Sequence, residues 1–315
     1  MINLADNTNA WGMPPSARAA LADAPSAACY PTPYADDLKA AIGAFTAFPP
    51  EMITTGCGSD DVLDGALRAL AEPGDAIAFT APTFVMIPVF AKLNRLVELI
   101  VPPVQLAASG ARIIYICSPN NPTGAVTPRA RIFEILEARS RDQVVIVDEA
   151  YVEFSGRSVM DLVRKYDSLI VTRTMSKAFG LAGLRVGYGV ADAATIAKLE
   201  KVRGPYRVTR LSERAAVAAL SNDEPWVREH ASMANEARQR LLSSLRDRGL
   251  QPCESAANFV YLPIQAAEAI ATAMRNEGVA VRAFNEPSAL RITVGPASMM
   301  DAALAAFDRA RRSCA

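Results

Sequence analysis

The stretch Thr174-Met175-Ser176-Lys177-Ala178-Phe179-Gly180-Leu181-Ala182-Gly183-Leu184-Arg185-Val186-Gly187-Tyr188 decides how this chain is read. It follows a largely apolar run, Ser168–Thr172, and passes into another, Arg185–Val190. Both have the length and β-branched character of strands. Five more such runs precede it: Met52–Thr55, Ala76–Thr80, Val97–Val101, Arg112–Cys117 and Gln143–Val147. Ile113-Ile114-Tyr115-Ile116 and Val144-Val145-Ile146-Val147 are continuous rather than alternating, the pattern of strands covered on both faces. Helical patterns fall between the runs: Asp60–Ala71, closed by Glu72-Pro73-Gly74, then Pro128–Glu137 and Ala191–Val202. This alternation predicts an α/β fold whose mostly parallel, seven-stranded sheet is flanked by helices. Beyond Gly204-Pro205 the texture changes to a long amphipathic helix, Glu224–Arg246, strands at Phe259–Leu262, Val279–Arg282 and Leu290–Val294, and helices near Ala266–Asn276 and from Ser298. A smaller α+β domain is expected there. The predicted division is 30–205 for the large domain, and 1–29 with 206–315 for the small one.

Four motifs fall at predicted strand ends, where open α/β sheets gather their ligands. Gly56-Cys57-Gly58-Ser59-Asp60 joins a strand to a helix. Glycines allow close approach of the backbone, and the free N–H groups of a helix start suit a phosphate, although a plain turn has the same sequence. Ser118-Pro119-Asn120-Asn121-Pro122-Thr123-Gly124 is a turn stiffened by two prolines, which either aims its amides at a ligand or is simply a stiff loop. Val147-Asp148-Glu149-Ala150-Tyr151 sets an acid at the end of an apolar strand. A carboxylate there needs a cation or strong donors; a protonated ring nitrogen would serve, and so would a local salt bridge or cap. In the opening stretch, Ser176 and Arg185 suit a phosphate. Lys177, if desolvated, suits a Schiff base. Together the four ask for one aromatic phosphate cofactor carrying an aldehyde.

Composition removes other classes. The chain has 315 residues, with 33 basic against 33 acidic, so no net charge draws it to nucleic acid. Apolar residues at 51% and charged residues at 21% are a globular mixture. The five cysteines are widely spaced and form no CxxC, which predicts reduced thiols, a cytoplasmic setting and neither a disulfide framework nor a zinc cluster. The single histidine, His230, supports neither a histidine-rich metal site nor a Ser-His-Asp triad and reads as a solvated helix residue. No signal peptide or membrane span is expected.

With SPNNPTG, VDEAY, TMSKAFGLAGLRVGY, the GCGSDD loop, YPTP at Tyr30 and LRITVG near the C-terminus, the chain resembles the class I/II aminotransferases of fold type I, which depend on pyridoxal phosphate. The histidinol-phosphate aminotransferase group is the nearest in resemblance. The resemblance implies that Lys177 forms the Schiff base with the cofactor and moves the substrate proton. It implies that Asp148 pairs with the pyridine nitrogen, that Asn121 and Tyr151 hydrogen-bond the ring hydroxyl and that Phe84 stacks on the ring. Gly58, Ser59, Thr174, Ser176 and Arg185 would cradle the phosphate. Tyr30 would reach the phosphate from a partner subunit, so a homodimer is implied. Arg291 would clamp the substrate α-carboxylate, with Asn258 as a supporting donor.

Departures fall in substrate-facing parts. The segment Asn7–Gly12, with Trp11, resembles the substrate-covering segment of the family, yet Thr8 and Ala10 stand where relatives carry Glu and then Asn-Pro. The link Pro102–Gly110 and the loop Ala283–Pro287 are short. Arg207 replaces a small or polar residue and would favour a second anion on the substrate, unless it is a solvated interdomain charge. Three functions are therefore weighed. The first is an aminotransferase acting on an L-amino acid or histidinol phosphate with a 2-oxo acid such as 2-oxoglutarate. The second is a decarboxylase of the threonine-phosphate type, and the third is a non-enzymatic sensor. The intact Lys177, Asp148 and Arg291 favour an enzyme, and VDEAY with SKAFGLAGLR favours amino transfer.

Overall fold

The computed structural model describes residues 1–23, 26 and 28–314. Its strands are β1 (Ile2–Leu4), β2 (Ile53–Cys57), β3 (Ala76–Phe79), β4 (Val97–Ile100), β5 (Ile113–Cys117), β6 (Val144–Asp148), β7 (Leu169–Thr174), β8 (Val186–Val190), β9 (Phe259–Pro263), β10 (Val279–Asn285) and β11 (Ser288–Thr293). Seven of them form one sheet in the order β2-β8-β7-β6-β5-β3-β4. Only β8 runs against its neighbours; the other pairs are parallel. These are the seven runs expected from sequence, with ends displaced by one or two residues.

The continuous apolar runs have the physical cause inferred for them, because both faces of the sheet are covered. Along β5, Ile113, Tyr115 and Cys117 join one core with Leu63, Leu67, Phe90 and Ile196. Ile114 and Ile116 join the other with Ile132 and Ile135. The same alternation sends Ile146 and Ile170 to the first core, and Val145, Val147 and Val171 to the second. Each such side chain, taken wholly out of water, contributes roughly 1.5–3 kcal/mol. By parity Asp148 and Thr172 belong to the face of Tyr115 and Cys117, which places four polar groups together at one end of the sheet.

The helix Gly58–Leu70 starts directly at the end of β2 and buries Val62, Leu63, Ala66, Leu67 and Leu70 on one side. Asp192 caps Ala193–Val202 by accepting from the Ala194 N–H, and Thr209 caps Arg210–Asn222 by accepting from the Ser212 N–H. A second sheet has the order β1-β10-β11-β9. In it β1 lies parallel to β10, in register from Ile2 with Val279, while the other pairs are antiparallel. The helices Pro15–Ala22, Asp36–Thr46, Met86–Leu93 and Arg210–Asn222, together with β1, are elements the sequence reading does not place. Among the described residues no helix is long and apolar enough to cross a membrane. His230 is half-buried rather than freely solvated: it stacks on Trp226 with ring centroids 3.8 Å apart and meets Trp11 edge-on at 6.5 Å.

Candidate active site

The loops that follow β2, β3, β5, β6 and β7 converge with β10, β11 and residues 5–8 on a cavity of about 460 Å³. Ser59, Phe84, Asn121, Asp148, Tyr151, Thr174, Ser176, Lys177, Arg185 and Arg291 all line it. These residues span most of the chain, and it is the strand order that gathers them. The sequence groups they came from, at four strand ends, become four sides of one chamber.

One end of the chamber is built for an anion. Gly58 has φ +78°, and a Cβ there would stand 2.5 Å from Arg185 Nη2, so the turn and the guanidinium fit only because this residue is glycine. Its N–H donates to the Arg185 carbonyl at 3.0 Å. Thr174 Oγ1 donates to Ser176 Oγ at 2.9 Å, and Arg185 Nη1 reaches that hydroxyl at 3.4 Å. Asp60 pairs with Arg185 at 3.6 Å. Burial raises the Asp60 carboxyl above its ordinary range, with Arg185 opposing. Hydroxyls, a guanidinium and a helix start around one space are the donor set of a phosphate.

The middle holds the acid and the amine. Asp148 is buried at the end of β6. Its Oδ2 accepts from Tyr115 Oη at 2.9 Å, and its Oδ1 accepts from the Ala150 N–H at 3.2 Å and from Thr172 Oγ1 at 3.3 Å. Among the described residues no basic side chain forms a salt bridge with it. Desolvation pushes its carboxyl up to about 6 against the pull of Tyr115. Lys177 Nζ donates to the Asp6 carbonyl at 3.3 Å and stands 5.8 Å from the Tyr151 ring centroid. Desolvation first, and the Arg291 charge second, bring its amine down to about 8. A buried carboxylate held only by neutral donors, facing a space that an amine of lowered basicity also faces, fits an aromatic ring with a protonated nitrogen and an aldehyde.

The other end faces the second sheet. Arg291, on β11, donates to Asn121 Oδ1 and to the Ala5 carbonyl, both at 2.5 Å, while its Nε has no partner. Desolvation lowers its guanidinium from the ordinary value. Tyr151 Oη accepts from Asn7 Nδ2 at 3.0 Å, and burial raises its phenol well above the usual range. Asn7 in turn accepts at Oδ1 from Thr293 Oγ1 at 3.1 Å, and its carbonyl accepts from Asn258 Nδ2 at 3.1 Å. Asn258 thus holds the segment that walls the cavity rather than lining the cavity itself.

Besides Asn258, three expected residues are not brought to this chamber. The Arg207 guanidinium turns to Asp61 at 3.1 Å, in a separate small cleft, because helix Gly58–Leu70 presents that carboxylate to it. Trp11 packs towards His230. Tyr30 is 81% exposed, its ring 4.9 Å from that of Tyr206. Others were missed. Tyr115 and Thr172 hold Asp148, and the period of two along β5 and β7 could have found them once the strands were paired. Arg282 lines the cavity, lies in register with Arg291 and has no hydrogen-bond or salt-bridge partner among the described residues. The shared register of two arginines at the hairpin was legible only after β10 and β11 were paired.

Residues 1–307 match the family model described as aminotransferase class I and II. A histidinol-phosphate aminotransferase of Roseiflexus castenholzii (strain DSM 13941 / HLO8) is 36% identical over 96% of this chain and 88% of its own. One from Thermoanaerobacter sp. (strain X514) is 34% identical over 86% of this chain and 81% of its own. Among solved structures, histidinol-phosphate aminotransferase from Sinorhizobium meliloti, in complex with pyridoxal-5'-phosphate, superposes with a TM-score of 0.91 at 25% identity, covering 100% of this chain and 92% of that one.

Proposed function

The chain belongs to the class I and II aminotransferase family, and on that premise we propose that it moves an amino group between an L-amino acid or histidinol phosphate and a 2-oxo acid, with 2-oxoglutarate as acceptor. The cofactor is pyridoxal 5'-phosphate. When bound it supplies an aldehyde to receive the amino group and a ring to spread the electrons freed at the substrate carbon. The observation that carries the reading is the joint placement of Lys177, Asp148 and the anion cradle in one cavity.

Within that reading, Gly58, Ser59, Thr174, Ser176 and Arg185 hold the phosphate, and Phe84 packs on the ring. Asp148 keeps a proton on the ring nitrogen. Asn121 and Tyr151 orient the ring hydroxyl. Lys177 is the amine placed to hold the aldehyde of the cofactor and, when the substrate amine has taken that place, would hold and return the proton of the substrate α-carbon; an amine brought down to about 8 is neutral in useful fraction near neutral pH. Arg291 takes the α-carboxylate in a fork-to-fork pair, exchanging its contacts with Asn121 and Ala5 for the substrate. Asn258 supports this end through residues 7 and 8. The unpartnered Arg282 supports a donor with a second anion, which favours histidinol phosphate or an acidic amino acid. Trp11 and Arg207 lie outside this set.

We also propose a homodimer in the cytoplasm. Tyr30, exposed on its own subunit, would then complete the phosphate site of the partner; the free state of all five cysteines fits a reducing compartment. The division into 30–205 and 1–29 with 206–315 is supported by the separate large and small sheets.

The test is product analysis. Loaded protein incubated with histidinol phosphate and 2-oxoglutarate should form glutamate. Formation of carbon dioxide from phosphothreonine, with no glutamate from any donor, would overturn amino transfer in favour of decarboxylation.

A further inference from the structure

Tyr115 has no place in the roles above, yet it is almost wholly buried and its hydroxyl donates to Asp148 Oδ2 at 2.9 Å, with the Cys117 thiol close by. The rest of its ring sits in an apolar core with Ile77, Phe79, Ile113 and Ile146. A phenylalanine would fill that core equally well, so packing does not explain the hydroxyl. Nor is the carboxylate fixed without it: Oδ1 has two donors, at 3.2 and 3.3 Å, whereas Oδ2 has Tyr115 alone. The neighbouring thiol, Cys117 Sγ, is turned to the Pro119 carbonyl at 3.4 Å and offers no substitute.

We propose that Tyr115 is a positioning residue, its buried hydroxyl fixing both the aim and the charge of the Asp148 carboxylate towards the cofactor ring. This rests on the reading that Asp148 holds the ring-nitrogen proton. Phenol donation disperses the carboxylate charge and favours the ionised form, and it immobilises Oδ2 so that Oδ1 stays directed by Thr172 and Ala150. The ionisable groups around Asp148 are Tyr115 and Cys117 from β5, Asp60 from the helix Gly58–Leu70, and Tyr151 beyond β6. In the structure the hydrogen bond to Oδ2 comes from Tyr115. Removing the phenol leaves the desolvation of the carboxylate uncompensated on that side.

The test compares wild type, Tyr115→Phe, Asp148→Asn and Thr172→Val. Cofactor retention is measured against pH, and the protonated-carboxyl infrared band of Asp148 is followed in the cofactor-free protein. A hydrogen bond to a charged group is worth about one to two pH units. Tyr115→Phe should therefore move both acid midpoints up by about that much, and Thr172→Val, losing a longer bond, by less. Incorporation of 3-fluorotyrosine at position 115 gives a stronger donor in the same shape and should move them down, which keeps the question open to decision even if Tyr115→Phe does not fold. Unmoved midpoints in both the phenylalanine and the fluorotyrosine protein overturn the proposal. If Asp148→Asn leaves the acid limb of cofactor retention intact, the ring-nitrogen reading fails instead, and the infrared band of the cofactor-free protein still decides the role of Tyr115.

Discussion

The basicity of Lys177 can be measured before any substrate is known. Burial, Arg291 and Arg185 all disfavour its ammonium, while Asp60 and Asp6 favour it; the balance stands at about 8 against an ordinary 10.5. At pH 8 about half of the Lys177 amine is then neutral, whereas an ordinary lysine is neutral to roughly 0.3%. In cofactor-free protein, trace acylation read by mass spectrometry should label the Lys177 peptide on the order of a hundred times faster than the other lysine peptides, once access is normalised at high pH. The dependence on neighbours has a definite sign. Arg291→Gln removes a repelling charge and should raise the Lys177 midpoint, and Asp60→Asn removes an attracting one and should lower it. A Lys177 midpoint near 10, with neither substitution moving it, would refute the electrostatic argument, whatever the enzyme catalyses.

Three further outcomes follow from the same geometry. Because the folded state depresses the Lys177 ammonium, the unfolded chain binds more protons between about 8 and 10.5, so stability rises with pH in that window; cofactor-free Lys177→Met should melt above wild type at pH 7, with the difference fading as pH passes 10.5. A Cβ on Gly187 of β8 would collide with the backbone of Gly58 and Ser59, including Gly58 O at 2.8 Å. Gly187→Ala should thus lose about 1–3 kcal/mol of stability and weaken cofactor binding, and an unchanged melting temperature together with an unchanged dissociation constant would contradict the packing. Arg291→Ala should raise KM for 2-oxoglutarate by roughly 10²-fold, since charge-assisted bonds to a carboxylate are lost; an unchanged KM would show that the carboxylate sits elsewhere.

The large sheet was legible because β5, β6 and β7 are unbroken apolar runs, the pattern of strands covered on both faces. The grouping at their ends was legible as a set: a lone lysine beside a strand is usually a surface charge, and Lys177 stood out only together with Asp148, the asparagine turn and the glycine loop, which the strand order brings to one cavity. The helix Met86–Leu93 was missed because Pro88 lies in its first turn, where proline is tolerated but reads as a break. β1 has three residues and no signal of its own; its partner β10 lies at the other end of the chain. Arg207 and Trp11 were placed by the resemblance of their segments to substrate-facing parts of the family. Their side chains instead follow local partners, Asp61 and His230, which the sequence alone does not pair.

Asn7 takes its partner Thr293 from 286 residues further along. A chain leaving the ribosome has completed all seven strands of the large sheet long before that partner exists, so the cofactor cradle can form early, whereas the wall that carries Asn7 and Arg291 must wait for the last strand. That wall is not assembled before β11 has been made. A chain that stops before β11 lacks both Thr293 and Arg291, and with them the contacts that hold residues 5–7 against the cavity.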